Sequence, residues 1–574
     1  MQPGAAGEPV ERAPRWLVVV VVAMVLAPLV AGAAGQLFAV GSSYHPAGDL
    51  AAIELHTRDV GRHDVELGQY SREQWSHPGP ALFYALALPY RLSGSRSVGA
   101  NVGALAINAL SIAGMVVIGH RRGGCRLLWV SAVAGAILVR GLGPVFLIEP
   151  WNPSVPVLPF ALFLFLVWEI TCASVWAIPL AVLVGSFCVQ THVGYVPLVA
   201  PLLVVAIGWR LWGSRAAAVV PLIAAVGVLS VMWRGPLVEE ARHDPGNLSR
   251  TIDYLTHSPE PRRTIGEGYA AAATQLSATP EWVTGRFELT PLTAESGFPG
   301  GAPIPVLVVP LAFAVACWWR RRAAVPLRLM AVAAASAGLG VVAVAQVRGP
   351  LYHYRLGWTR VNAMMAVTGA VWALWIAVAA WRPSAERRVL VPVCGAVLVA
   401  LAAVGIPRFA GAGPPLADFS DDLGVIAPTL VDHLPAGDGP VILRCDGDEG
   451  CIYLSGLVLW FERAGIAVMV EVPDGVVSSG APHRVFQGGP VRAVLHVRID
   501  EELFARTLAG DPQLLARTGD RPTAARAALA RQILLLDAER RADRLSPTDY
   551  LAARTELTNR LGTGVGVLLE ALTP

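Results

Sequence analysis

Long apolar stretches, broken by short polar loops rich in Pro and Arg, occupy the first two thirds of the chain. A helix rises about 1.5 Å per residue, so roughly 20 apolar residues cross the ~30 Å hydrocarbon layer of a bilayer. On that basis the pattern predicts membrane-spanning helices at 16–37, 99–119, 127–148, 156–174, 176–191, 194–212, 216–234, 303–319, 325–346, 361–381 and 389–407. The first is flanked by Arg12 and Arg15 and ends in Ala31-Gly32-Ala33, as a signal peptide would; the further spans favour an uncleaved first helix. Arginines collect on the cytoplasmic side of a membrane protein. His120-Arg121-Arg122 with Arg126, Arg210 with Arg215, Arg320-Arg321-Arg322, and Arg382 with Arg387-Arg388 fit one alternating path. That path puts residues 38–80, 143–155, 235–302, 347–360 and everything after the last span on the outer side. Pro80 to Leu92 is apolar but contains Pro89 and is short for a span, so it reads as a re-entrant or interfacial helix. If it did span, the parity of the path would change.

Beyond the last span the period shifts. Val441-Ile442-Leu443, Ile466 to Val472 and Val491 to Val497 read as strands, whereas Ile452 to Ala464, Asp500 to Leu508 and Ala524 to Leu545 show helical periodicity. The charge distribution moves with it. From Arg408 onward 22 acidic and 16 basic residues fall in 167 positions, against 49 charged residues in the first 407. The expected architecture is therefore a polytopic α-helical membrane protein with about 11–13 transmembrane helices over residues 1–407. A soluble α/β domain over 408–574 follows it, extracytoplasmic, on a multi-pass plasma-membrane protein.

Whole-chain composition removes the alternatives. In 574 residues the hydrophobic fraction is 54%, the charged fraction only 15%, and the mean hydropathy +0.53. A soluble domain carries about 25% charge, so this chain cannot cover itself in water. The net charge of +3, with no basic stripe interleaved with aromatics, excludes a nucleic-acid binder. All 45 basic residues are Arg, so any anion must be held by Arg, His or backbone N–H groups. Five of the seven Cys sit singly in or beside apolar stretches. Cys445 and Cys451 lie six apart in the tail, and two readings stand, a disulfide in an oxidising compartment or two reduced thiols.

The densest polar stretch of the membrane part is the first outer loop. Between Tyr44 and His77 lie Asp49, Glu54, Asp59, Asp64, Glu66 and Glu73 together with Arg58, Arg62, Arg72, His45, His56, His63 and His77. Ionisable groups gathered at a membrane face mark function. On a helix opening at Gly48-Asp49, the positions Asp49, Ala52, Ile53 and His56 share one face, while Glu54 and Arg58 have the i, i+4 spacing of a surface ion pair. Asp49 is thereby singled out, with helix N-capping as the competing explanation.

The order of features resembles a known family. An N-terminal helix leads to an outer loop with an early Asp, then His77-Pro78-Gly79-Pro80-Ala81-Leu82-Phe83-Tyr84, then Tyr90-Arg91-Leu92-Ser93-Gly94 and a long apolar helix ending in Gly119-His120-Arg121-Arg122. Over roughly residues 16–210 this is similar to the GT-C superfamily of membrane glycosyltransferases, nearest in pattern to the ArnT-like aminoarabinose transferases and the protein O-mannosyltransferases. The resemblance implies an inverting enzyme that moves a sugar from a polyprenyl-phosphate carrier to a cell-envelope glycan, lipid or protein, with Asp49 as catalytic base. The departing phosphate then needs cationic stabilisation. Arg58 and Arg72, and Arg348, Arg355 and Arg360 of RGPLYHYRLGWTR, are candidates, with interfacial anchoring beside Tyr352, Tyr354 and Trp358 as the other reading. Further substrate contacts are expected from His77, Tyr352, His192 of Gln190-Thr191-His192 (against a buried histidine with a satisfied hydrogen bond), and Glu149 of Glu149-Pro150-Trp151-Asn152-Pro153. Glu149 is the candidate holder of a divalent cation or a sugar hydroxyl, against an ordinary loop acid. No metal motif and no definite cofactor is expected; membrane lipids are the surroundings. A transporter or flippase, or a non-catalytic envelope scaffold, is the alternative, but there is no internal repeat and the polar residues gather in loops rather than at mid-span.

Overall fold

The computed structural model describes residues 11–71, 73–213, 216–285, 324–445, 447–471, 481–498, 514–517, 566–570 and scattered positions between 532 and 553. The chain divides into two compact units, Met1–Gly41 with Val60–Pro414, and Ser42–Asp59 with Pro415–Pro574.

In the first unit, α1 (Arg15–Gly35) packs against α4 (Val98–Ile148) and α14 (Val391–Ala410). The approach is close because Gly35 has no side chain; a Cβ there would strike the backbone of Ala410. Where α1 ends, the Gln36 amide donates to the carbonyl of Ala412 (3.1 Å) and accepts from Asn101 (2.9 Å), a buried polar clamp in an otherwise apolar bundle. The two predicted spans 99–119 and 127–148 are one element that turns back at Gly124, whose φ of 63° suits glycine. A Cβ on Gly119 would meet Ser131, and one on Gly135 would meet Met115, so the two halves run antiparallel and in contact.

Three shorter apolar helices follow the same plan: α3 (Ala81–Leu92), α5 (Val157–Thr171) and α6 (Ala177–Thr191). α3 begins beside the loop 60–80, and Arg91 near its end bonds the carbonyl of Val60 in that same loop. Twelve residues make about 18 Å of helix, short of the ~30 Å of a bilayer's hydrocarbon layer. The remaining long apolar helices are α7 (Val196–Gly213), α8 (Val219–Arg242), α12 (Ala324–Ala345) and α13 (Gly357–Trp381). Between α8 and α12, the short helices α9 (Asn247–His257), α10 (Ile265–Thr274) and α11 (Glu281–Thr284) cover part of the long predicted loop. Among the described residues seven helices are long and apolar enough to cross a membrane, which makes this a multi-pass membrane protein. The predicted span 303–319 lies outside the described residues.

One end of the bundle gathers the arginines. Arg122 pairs with Glu169, Arg126 with Glu386 (2.7 Å) and Arg387 with Glu11 (2.9 Å), while Arg328 caps the carbonyl of Thr171 (2.6 Å). The other end gathers the loops predicted to lie opposite.

The second unit is α/β. Its sheet has strand order β2-β1-β3-β5-β4, from β1 (Val441–Cys445), β2 (Val468–Val470), β3 (Ala493–Arg498), β4 (Leu514–Arg517) and β5 (Gly566–Glu570). β1 is parallel to both β2 and β3, and β5 is antiparallel to its neighbours. α15 (Ala417–His433) and α16 (Gly447–Arg463) cover it, burying Leu423, Ile426, Leu430, Leu454, Val458 and Phe461 against Val441, Leu443 and Leu495. Cys445 and Cys451 form a disulfide. The predicted strands and the helix 452–464 are present, whereas the predicted helices 500–508 and 524–545 lie wholly or almost wholly outside the described residues.

Charge composition alone does not show that α2 (Gly48–Asp59) belongs to this second unit, with Ala47 and Leu55 in its core. The expected exposed pair Glu54–Arg58 is not formed. Glu54 is 1% exposed and bonds Arg463, and Arg58 pairs with Glu462 at 3.7 Å. The helix packs by most of its circumference, so partners come from neighbouring elements rather than from one turn away.

Candidate functional site

Three loops of the first unit converge at the end opposite the arginine-rich one. The first is a hairpin over 68–77. Gly68 N–H donates to His77 O (2.9 Å), His77 N–H to Gln69 O (2.9 Å) and Ser71 N–H to Trp75 O (2.8 Å). Gly68 and Gly79 are needed here: a Cβ on Gly68 would meet the carbonyl of Gly79 at 2.7 Å, and one on Gly79 would run into Gln190. The Asn247 side chain clasps the outer strand, accepting from Ser76 N–H (2.7 Å) and donating to Ser76 O (2.8 Å). Glu73 sits at the tip, beside Gln74 with φ 64°.

The second loop caps α4 with Glu149, whose carboxylate accepts the Ser154 hydroxyl (2.6 Å), and presents the Trp151 ring. The third is the turn His353–Leu356 ahead of α13. Its Tyr352 and Tyr354 rings stack at 5.6 Å, Trp151 packs on Tyr354 at 4.9 Å, and the Arg355 guanidinium lies over both tyrosines at 5.4 and 5.8 Å. Such cation–π contacts fix a guanidinium without consuming its N–H donors.

Arg355 donates to Glu73 at 2.5 Å, and the other oxygen of Glu73 accepts the Ser71 hydroxyl. The side chains are 16% and 12% exposed, half-sheltered yet reachable. Burial pushes the Glu73 carboxyl up, but the opposite charge of Arg355 and the hydrogen bonds from Ser71 and Arg355 outweigh it and hold the carboxyl below its ordinary value. Near the pair, the rings of His77 and His192 lie 4.6 Å apart, tilted by 32°, and His77 meets Trp75 edge-on at 5.4 Å. His77 Nδ1 accepts the N–H of Val193 (3.3 Å) and His192 Nδ1 that of Gly194 (3.1 Å), so each neutral ring carries its proton on Nε2. Burial, and then the charge of Arg355, push His77 down to about 3, so it stays neutral at physiological pH.

The structure thus brings Arg355, Tyr352, His77 and His192 together and sets Glu149 on the loop that carries Trp151. Arg348 is a correction. It is 8% exposed, and its N–H groups go to the carbonyls of Leu255, Thr256, Ser258 and Glu260, where it caps the C-terminal end of α9. Every donor is used, so it is a staple and not a phosphate ligand. Arg360 is buried, 1% exposed, paired with Glu281 and within 3.0 Å of His353. Arg72 lies outside the described residues.

Asp49 and Arg58 belong to the second unit. Asp49 is an exposed residue in the first turn of α2, one position inside it rather than at the N-cap, and an acidic residue there complements the helix dipole. Sequence reading named Glu73 only as one acid among six and gave Trp151 no role. Nothing in their spacing marks them, because their partners are 282 and about 200 residues away along the chain.

Comparison with solved structures gives the fold. The chain is similar to the crystal structure of ArnT from Cupriavidus metallidurans bound to undecaprenyl phosphate, with a TM-score of 0.53 and 14% identity, over 88% of this chain and 96% of that one. The apo structure of that protein matches with a TM-score of 0.52 and 13% identity, over 87% and 95%. The chain therefore shares the fold of that ArnT structure. No protein-family model and no curated protein matches.

Proposed function

We propose that the protein is an inverting membrane glycosyltransferase that moves a sugar from a polyprenyl-phosphate carrier to a cell-envelope acceptor at the outer face of the plasma membrane. The observation that carries this reading is Arg355, a guanidinium held on two stacked tyrosines where three loops meet, with its partner carboxylate at the tip of a hairpin. The fold adds support, since the similar ArnT structure is one bound to undecaprenyl phosphate.

In the reaction a carboxylate base takes the proton of the acceptor hydroxyl as its oxygen attacks the anomeric carbon from the face opposite the leaving group; the family resemblance alone gives that role to Asp49, which belongs to the other unit from Arg355. The bond from that carbon to the phosphate oxygen breaks, and the electron pair leaves with the polyprenyl phosphate, whose growing charge is met by Arg355. Phosphate is already a good leaving group, so no general acid is required. The Nε2–H groups of His77 and His192 and the Trp151–Tyr354 surface suit a sugar, polar at its rim and apolar on its ring faces. No step requires a metal. The Cys445–Cys451 disulfide supports an outer location for the second unit, since such bonds persist on the oxidising side.

The test is transfer from a defined polyprenyl-phosphate sugar by purified protein. Asp49→Asn should insert and fold normally and lose about 10²-fold or more in turnover, the usual size of general-base catalysis. Arg355→Gln should lose a similar factor with weaker donor binding. Full activity in either variant removes the role given to that residue.

A further inference from the structure

The pairing of Arg355 with Glu73 poses a problem for any phosphate that is to use Arg355, because the arginine is already neutralised. Only the tip of the hairpin makes that contact. The strands below are tied by three backbone hydrogen bonds and the double clasp of Asn247, whereas the carboxylate itself is steadied by the hydroxyl of Ser71, two residues away in the same turn. Glu73 can therefore leave Arg355 by a side-chain rotation without disturbing the hairpin.

We infer that Glu73 is a built-in competitor for the phosphate site and that its task is to expel the spent carrier. This rests on the reading of Arg355 as the phosphate-binding group. The donor is a phosphodiester with a single negative charge. Once the sugar has gone, the carrier is a monoester with a charge of about −1.5 to −2 at neutral pH. An uncontested arginine would hold product more tightly than substrate and stall after one turnover. A carboxylate tethered 2.5 Å from the guanidinium reclaims it whenever the phosphate loosens. It lowers the affinity for both ligands by the fraction of time it occupies the site, and so keeps the product from saturating the enzyme.

The experiment uses full-length protein in detergent, with farnesyl monophosphate as probe and uncharged farnesol as control. Glu73→Gln keeps the shape and the bond to Ser71 but removes the charge. It should bind farnesyl monophosphate about tenfold more tightly, leave farnesol binding unchanged, and show product inhibition at about tenfold lower concentration. Turnover in Glu73→Gln should show a burst near one product per enzyme followed by a slower steady rate. Glu73→Asp, with its charge withdrawn by one methylene, should fall between. Unchanged or weaker phosphate binding in Glu73→Gln, while Arg355→Gln loses binding, overturns the inference and leaves the role of Arg355 standing. Unchanged binding in Arg355→Gln would remove that role itself.

Discussion

At the scale of single residues, one fact about this chain governs the rest: it has no lysine. Each cation is a planar fork whose usefulness depends on what already occupies its donors. Arg348, Arg355 and Arg360 lie within thirteen residues of sequence and in the same aromatic-rich stretch, yet their tasks diverge. Arg348 is spent on backbone carbonyls; Arg360 and Arg355 each pair with a glutamate, but the Arg360 side chain is 1% exposed whereas that of Arg355 is 16% exposed. Replacing Arg348 by Met should destabilise the protein by about 2–3 kcal/mol, because it strands several carbonyls at a helix end. Thermal unfolding in detergent should show the loss, while farnesyl monophosphate affinity in the folded fraction should hold. The opposite pattern, unchanged stability with lost phosphate binding, would return Arg348 to the site.

At the scale of elements, α2 is the informative case. Its sequence reads as a half-polar surface helix, but Ala51, Ala52, Ile53 and Leu55 are fully buried and its acids reach into the second unit. Asp59 takes a bidentate bond from Arg484 (2.6 and 2.8 Å), and Arg484 also holds Glu462 (2.6 Å). His56 lies beside this network. Burial lowers it to about 4, with Arg484 and His483 adding to that and Asp59 pulling the other way. A histidine kept neutral in the fold contributes nothing above its unfolded value of about 6.5. As pH falls below that, the unfolded chain takes up the proton first, and stability declines until about pH 4. The share of His56 is at most about 3 kcal/mol. His45, lowered by burial and by Arg463, acts in the same direction. His56→Gln should flatten the stability profile between pH 6.5 and 4 in circular-dichroism melts of the whole protein; a profile as steep as before would show that the histidine is not shielded.

At the scale of the whole molecule, the first unit sorts its charges by end. The turn at Gly124 and the ends of α5 and α13 carry Arg122, Arg126, Glu169 and Glu386, while the loop residues Glu73, Glu149 and Arg355 sit at the other end. The positive-inside tendency predicts that the first end is cytoplasmic and the candidate site outside. With the disulfide, this gives a test of orientation. A single Cys introduced in the α15 region of an otherwise Cys-blocked cell should react with an impermeant maleimide in intact cells. Labelling only after lysis would place the second unit inside and reverse the orientation.

The sequence by itself determined the bundle and the α/β character of the tail, because both rest on local repeats: runs of about 20 apolar residues for spans and alternation for strands. It also marked α3 as a helix shorter than a span, since its length follows from the local run of apolar residues. Tertiary structure alone decided which ionisable groups are free to act. The hairpin of Glu73, the turn of Arg355 and the loop of Trp151 are far apart in sequence and meet only when the bundle closes. Whether a guanidinium staples a helix or faces a ligand depends on carbonyls and carboxylates that no periodicity records. The assignment of α2 to the second unit has the same cause: its partners lie several hundred residues away, and burial is a property of the neighbours, not of the segment.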